Sequence, residues 1–175
     1  WPEDRPLRQL LGRALAAAWL AGLGRGADPE QMAAAAAGSE AFRERNRGGV
    51  YRIGPYTVVD DSYNANPDSL RAALSWLAEA PLPAGGRRWA LLGDMLELGE
   101  LGADLHRELG REAARLGIEG LLACGPLCAE LVAGARGLGL EAEHFPDAAA
   151  LARALPTRLA DGDLILVKGS RGMAM

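Results

Sequence analysis

From residue 50 to residue 167 the chain alternates short apolar, β-rich runs with amphipathic helical stretches, and this alternation limits the fold more than any other property. Strands are expected at 50–53, 56–60, 89–92, 120–123, 142–145 and 164–167. Helices are expected at 67–79, 103–116, 127–138 and 148–159. Apolar strands separated by helices pair in parallel and need cover on both faces, so the expected fold is α/β: a Rossmann-like, mainly parallel sheet with helices on both sides. In such sheets ligands bind beyond the carboxyl ends of the strands. The polar segments that follow the strands are therefore where chemistry is expected.

A short helical segment precedes this pattern. Apolar spacing predicts one helix over 7–23, ending in a Gly-rich stretch, and a second with Asp28 as N-cap, Pro29 at its first position and Gly38 as its stop. Residues 39–49 turn polar and Arg-rich. Two units follow: a helical segment over 1–38 and an α/β domain over 39–175. With 175 residues, 49% of them hydrophobic, the chain can bury one good core and a small second unit.

The net charge of -4, with acids and arginines intermixed, leaves no basic stripe for nucleic acid. No apolar run approaches the roughly 20 residues that a membrane span needs, and the opening residues are not a signal peptide. A soluble, cytoplasmic, monomeric protein is expected. Cys124 and Cys128 lie four apart in an apolar stretch, without a CxxC pair or a nearby His, and read as reduced core thiols with no metal site. The chain starts without Met and stops on "KGSRGMAM" just after a strand, as a piece of a longer protein would.

Three segments carry the chemistry. "VVDDSYNANPDSL" begins at Val58; within it Asn66 is a natural N-cap, Pro67 takes the first helical position, and Asp68 suits the helix dipole. Capping leaves Asp60, Asp61, Ser62, Tyr63 and Asn64 unexplained. A carboxylate suits vicinal ribose hydroxyls and a flat ring suits adenine, so nucleotide binding stands beside plain turn chemistry as a reading. "GDMLELGE" supplies Asp94, Glu97 and Glu100, and the helix after it places His106 and Gly110 on one face. A lone helical His reads as a packing residue, and Gly110 as the point where its helix approaches the sheet closely. In "LVKGSRG", Lys168 is the single lysine among 19 basic residues. Where the remaining basic positions have all become Arg, this exception points to a point-charge role that a planar guanidinium does not fill.

"DDSYNANPDSL", "LLGDMLELGE" followed by "HRELG", and "LVKGSRGMAM", in that order and spacing, resemble the Mur ligase family over residues 40–175. The resemblance implies that 39–175 is the carboxy-terminal Rossmann-like domain of such a ligase and 1–38 the end of its central ATPase domain. It further implies an ATP-dependent amide ligation in bacterial wall synthesis, in the branch joining D-Ala-D-Ala to UDP-N-acetylmuramoyl-tripeptide through an acyl phosphate. ATP and Mg are the implied cofactors, with the Mg ligands in the central domain. Carried over by the resemblance, Arg47, Asp61, Tyr63 and Asn64 would bind ATP. Asn66, Lys168, Ser170 and Arg171 would face D-Ala-D-Ala, while Asp94, Glu97 and His106 would support them. No catalytic residue is assigned within the chain.

The chain departs from the family pattern at three places. Asn46-Arg47 stands where Gly-Arg is usual, and Gln9, Leu10 and Arg13 stand where asparagines approach adenine. No GxxGKT phosphate loop occurs anywhere in the sequence. The chain alone is therefore expected to be inactive. Two other readings remain: a non-catalytic nucleotide- or peptide-binding module derived from such a ligase, and a sister amide ligase.

Overall fold

The computed structural model describes residues 49–173 and 175. Their core is a six-stranded sheet in the order β1-β2-β6-β3-β4-β5. Its strands are β1 (Gly49–Ile53), β2 (Tyr56–Asp61), β3 (Arg88–Gly93), β4 (Gly120–Cys124), β5 (Glu141–Phe145) and β6 (Leu164–Lys168). Only the β1–β2 pair is antiparallel. That hairpin turns through Gly54 and Pro55, and Gly54 adopts φ 58, which the first central position of a tight hairpin turn demands.

Connection handedness distributes the helices. The chain passes from β2 through α1 (Pro67–Glu79) to β3, through α2 (Gly102–Arg115) to β4, and through α3 (Cys128–Arg136) to β5, always moving the same way across the sheet. Right-handed crossovers put these three helices on one face. The return from β5 to β6 runs the opposite way and carries α4 (Ala148–Ala154) to the other face. Two cores result. Leu70, Leu74 and Leu77 of α1, Leu109 of α2 and Leu131 of α3 pack on Val59, Leu92, Leu121 and Leu166. Across the sheet, Leu151 and Leu155 pack on Trp89, Leu91, Leu122 and Ile165, joined by Met173 and Met175.

Local chemistry sets the ends of these elements. Asn66 caps α1 by accepting from the Ser69 N–H at 2.8 Å, while the Ser69 hydroxyl accepts from the Asn66 N–H at 3.1 Å, a reciprocal capping box. Asp147 caps α4 through the Ala150 N–H at 2.7 Å. The helix expected over 148–159 stops at Ala154 and tightens into a 3-10 turn, Leu155–Thr157, because Pro156 has no N–H to give and its ring clashes with the preceding turn. The helices expected over 1–38 lie outside the described residues.

Candidate functional site at the carboxyl ends of the strands

The carboxyl ends of β2, β6 and β3 adjoin, and the chain leaves β6 for the opposite face from the one taken after β2 and β3. Diverging connections open a crevice at such a point. Asp61 and Lys168 are cross-strand partners at the last rungs of β2 and β6. The Lys168 ammonium donates to Asp61 Oδ2 at 2.6 Å and to the Asn64 carbonyl at 2.9 Å. Lys168 is only 2% exposed, whereas the Asp61 side chain is 28% exposed. Asp61 Oδ1 makes no hydrogen bond among the described residues.

Two residues on, Ser170 extends the same junction. Its hydroxyl donates to the Ala65 carbonyl at 3.2 Å and accepts from the Leu96 N–H at 2.8 Å, while its N–H donates to the Asp94 carbonyl at 3.0 Å. The stretch from Lys168 to Ser170 thus ties the turn after β2 to the loop after β3. Gly169 makes the approach feasible: a Cβ there would sit 3.1 Å from the Gly93 Cα and closer still to Met175.

Beyond this buried junction the rim is exposed. Asp60 Oδ1 accepts from both the Ser62 N–H and its hydroxyl, folding 60–62 into a local turn. Tyr63, 41% exposed, has the Arg171 guanidinium 5.8 Å from its ring centroid. That contact spans the two segments expected to serve nucleotide and dipeptide. Asn64 and Asn66 are exposed as well, but the Asn66 Oδ1 is already committed to the cap of α1.

Asp94 and His106 lie deeper. Asp94 Oδ1 accepts from the Cys128 N–H at 2.7 Å and Oδ2 from the Leu127 N–H at 3.2 Å, so this buried carboxylate caps α3 from another strand. Anions at a helix N-terminus are favoured by the unsatisfied N–H groups and the dipole. Gly125, at φ 110, leaves the space that Asp94 fills, since a Cβ there would meet its carboxyl. His106 is fully buried; its Nε2 accepts from the Met95 N–H at 3.0 Å and its Nδ1 lies 2.6 Å from the Gly102 carbonyl, which assigns the Nδ1–H tautomer.

The ligand atoms of Asp94, His106 and Cys128 fall within 4.8 Å of one another, a spacing that could hold a metal ion. Their chemistry argues otherwise. Both Asp94 oxygens and both His106 ring nitrogens are engaged by backbone groups, and burial, reinforced by the Asp94 charge, pushes the Cys128 thiol well up. A thiol held protonated is a poor metal ligand. The three form a structural knot that fixes the loop after β3.

The structure gathers Asp61, Tyr63, Asn64, Asn66, Lys168, Ser170 and Arg171 on one rim, with Asp94 and His106 beneath it. Lys168 and Ser170, expected to face the dipeptide, are turned inward onto protein partners, leaving Arg171 as the exposed cation of that segment. Glu97 is exposed in the loop after β3 with φ 65, a left-handed conformation that is unusual for a non-glycine residue. Arg47, Gln9, Leu10 and Arg13 lie outside the described residues. Sequence reasoning missed the remote cap by Asp94, for which Gly125 just after β4 was the available signal. It also missed the Asn64 and Ala65 carbonyls as anchor points.

The family described as Mur ligase, glutamate ligase domain, matches residues 46–171. The chain is 38% identical over 169 residues to the UDP-N-acetylmuramoyl-tripeptide--D-alanyl-D-alanine ligase of Mycobacterium tuberculosis, a match covering 86% of this chain and 33% of that protein. Against the Escherichia coli ligase of the same name it is 41% identical over 120 residues, covering 67% of this chain and 25% of that one. Among solved structures, MurF from Acinetobacter baumannii aligns with a TM-score of 0.64 at 30% identity, over 74% of this chain and 28% of that one. MurF ligase from Thermotoga maritima in complex with ADP aligns with a TM-score of 0.59 at 27% identity, over 73% and 28% of the two chains. The chain thus spans at most about a third of the length of these curated relatives.

Proposed function

The chain belongs to the Mur ligase family, as its carboxy-terminal domain, and on that premise we propose that the whole protein joins D-Ala-D-Ala to UDP-N-acetylmuramoyl-tripeptide at the expense of ATP. The observation that carries this reading is the convergence on one rim of the three motif segments, DDSYNANP, GDMLELG and KGSRG, stitched together by Lys168 and Ser170. Relatives bearing the name of this ligase and a neighbour that binds ADP support it.

The chemistry is phosphoryl transfer followed by acyl transfer. The tripeptide carboxylate takes the γ-phosphoryl group of ATP, releasing ADP; the dipeptide amine attacks the acyl phosphate, and a tetrahedral intermediate collapses to amide and phosphate. Anionic groups crowd both steps, so positioning and charge neutralisation do most of the catalytic work. On this rim Asp61 Oδ1 accepts from a ribose hydroxyl, and Tyr63 and Asn64 lie against the nucleotide. Arg47 reaches the phosphates. Arg171, with the amide N–H groups of Asn66, receives the dipeptide carboxylate. Lys168, Ser170, Asp94, Glu97 and His106 support these contacts.

In this reading the phosphate loop and the Mg ligands belong to a central domain beyond this chain, of which 1–38 are the last residues. On the same reading the protein works as a monomer in the cytoplasm. No helix among the described residues is long and apolar enough to cross a membrane. Phosphate release by the full-length protein tests the proposal. Release should need ATP, tripeptide and D-Ala-D-Ala together. Equal release with a single free amino acid in place of the dipeptide would indicate a sister ligase, and nucleotide binding without release under any combination a non-catalytic module.

A further inference from the structure

Lys168 occupies an unusual position for a residue that would bind a substrate. It is almost wholly buried, at 2% exposure, and its ammonium is spent on two protein acceptors, Asp61 Oδ2 at 2.6 Å and the Asn64 carbonyl at 2.9 Å. A substrate carboxylate would have to displace the shorter of these contacts to reach it. Asp61 is asymmetric in the complementary sense: one oxygen is pinned by Lys168, while the other makes no hydrogen bond among the described residues on a side chain that is 28% exposed. Pinning one carboxylate oxygen removes rotation about the terminal torsion and aims the second, which lowers the ordering cost of any hydroxyl it later receives.

The second contact works on the backbone. The Asn64 carbonyl lies in the same turn as the Tyr63 ring, and the next carbonyl, that of Ala65, is held by the Ser170 hydroxyl at 3.2 Å. Two successive carbonyls of the turn after β2 are therefore anchored from the end of β6. We propose that Lys168 is a positioning residue for the nucleotide, touching neither substrate: it aims Asp61 at the ribose and sets the turn that presents Tyr63. This rests on the assignment of Asp61 to the ribose in the proposed function. It also explains why lysine survives at this single place in an Arg-only chain. A slender ammonium fits a closed slot between two acceptors, one at the end of β2 and one in the turn that follows it, where a guanidinium fork would not.

The test is a double-mutant cycle in the full-length protein, read by ADP titration and by KM with ATP and D-Ala-D-Ala each varied. A reversibly unfolded fraction would weaken the apparent constants of both ligands, so the contrast between nucleotide and dipeptide is what separates positioning from lost stability. Asp61→Ala should weaken ADP and raise the ATP KM about tenfold, and Lys168→Met should do so by about fivefold with the dipeptide KM within about twofold. The double variant should be weaker than Asp61→Ala by clearly less than the fivefold that Lys168→Met causes alone, because without Asp61 only the Asn64 contact is left for Lys168 to act through. If Lys168→Met is insoluble, Lys168→Gln, which is one bond shorter but keeps a donor, should give a smaller shift in the same direction. Additive effects, an unchanged ADP affinity in both Lys168 variants, or a rise confined to the dipeptide KM would overturn the inference while leaving the Asp61 assignment intact. An Asp61→Ala variant with native ADP affinity would overturn that assignment and the inference together.

Discussion

Gly110 of α2 and Gly134 of α3 are reciprocal: a Cβ on Gly110 would run into the Leu131 carbonyl, and one on Gly134 into the Arg107 carbonyl. The two helices cross backbone against backbone at this point. Glycine inside an exposed helix ordinarily costs about 0.5–1 kcal/mol relative to alanine. Here the sign should reverse. Gly110→Ala and Gly134→Ala are each expected to destabilise the protein by about 1–3 kcal/mol, the range for overpacking a tight core. Urea unfolding of each variant checks this, and a stabilised variant would refute the close crossing.

Asp94 provides a second expectation. Its two oxygens accept from two backbone N–H groups at the start of α3, the Cys128 donor at 2.7 Å and the Leu127 donor at 3.2 Å. In Asp94→Asn one of those donors would face an NH2 group, which cannot accept. The isosteric change should therefore cost about 1–3 kcal/mol, comparable to leaving one buried donor unpaired. Native stability in Asp94→Asn would show that the cap is not what holds α3.

The thiols give a pH dependence. Burial first, then the charges of Asp94 and Asp147, push the Cys124 thiol from 9.0 up to about 12, and Cys128 moves in the same direction. A raised folded value means that the stability contribution is complete below the unfolded value and is lost as pH rises toward the folded one. Stability should thus decline between about pH 9 and about pH 12, and Cys124→Ala should flatten that decline. At pH 8 both thiols should resist a disulfide reagent until denaturant exposes them; rapid labelling of the native protein would contradict this.

Much of the fold was legible because its determinants are local. The helix expected over 67–79 is α1 to the residue, since Asn66, Pro67 and Ser69 fix its start within one turn of sequence. The strands were found within a residue or two because their apolar runs are bounded by polar or Gly-rich turns. α4 ran too long in the expectation because its Ala-rich periodicity was extended through Pro156. The site was legible as a set of residues but not as a set of directions. Lys168 and Asp61 are 107 residues apart, and only the β2–β6 register makes them neighbours. No local signal shows that the ammonium turns inward. The same holds for Asp94, whose partners lie on a helix that begins 34 residues later.

The central claim is that one rim of this domain serves two substrates, with Asp61 on the nucleotide side and Arg171 on the dipeptide side. Steady-state kinetics of the full-length Asp61→Ala and Arg171→Ala variants, with ATP and D-Ala-D-Ala each varied, test it most directly. The account predicts a crossed pattern: Asp61→Ala raises the ATP KM about tenfold with little change for the dipeptide, and Arg171→Ala raises the dipeptide KM about tenfold with little change for ATP. Parallel changes in both constants for both variants, or native values for either variant, would contradict it.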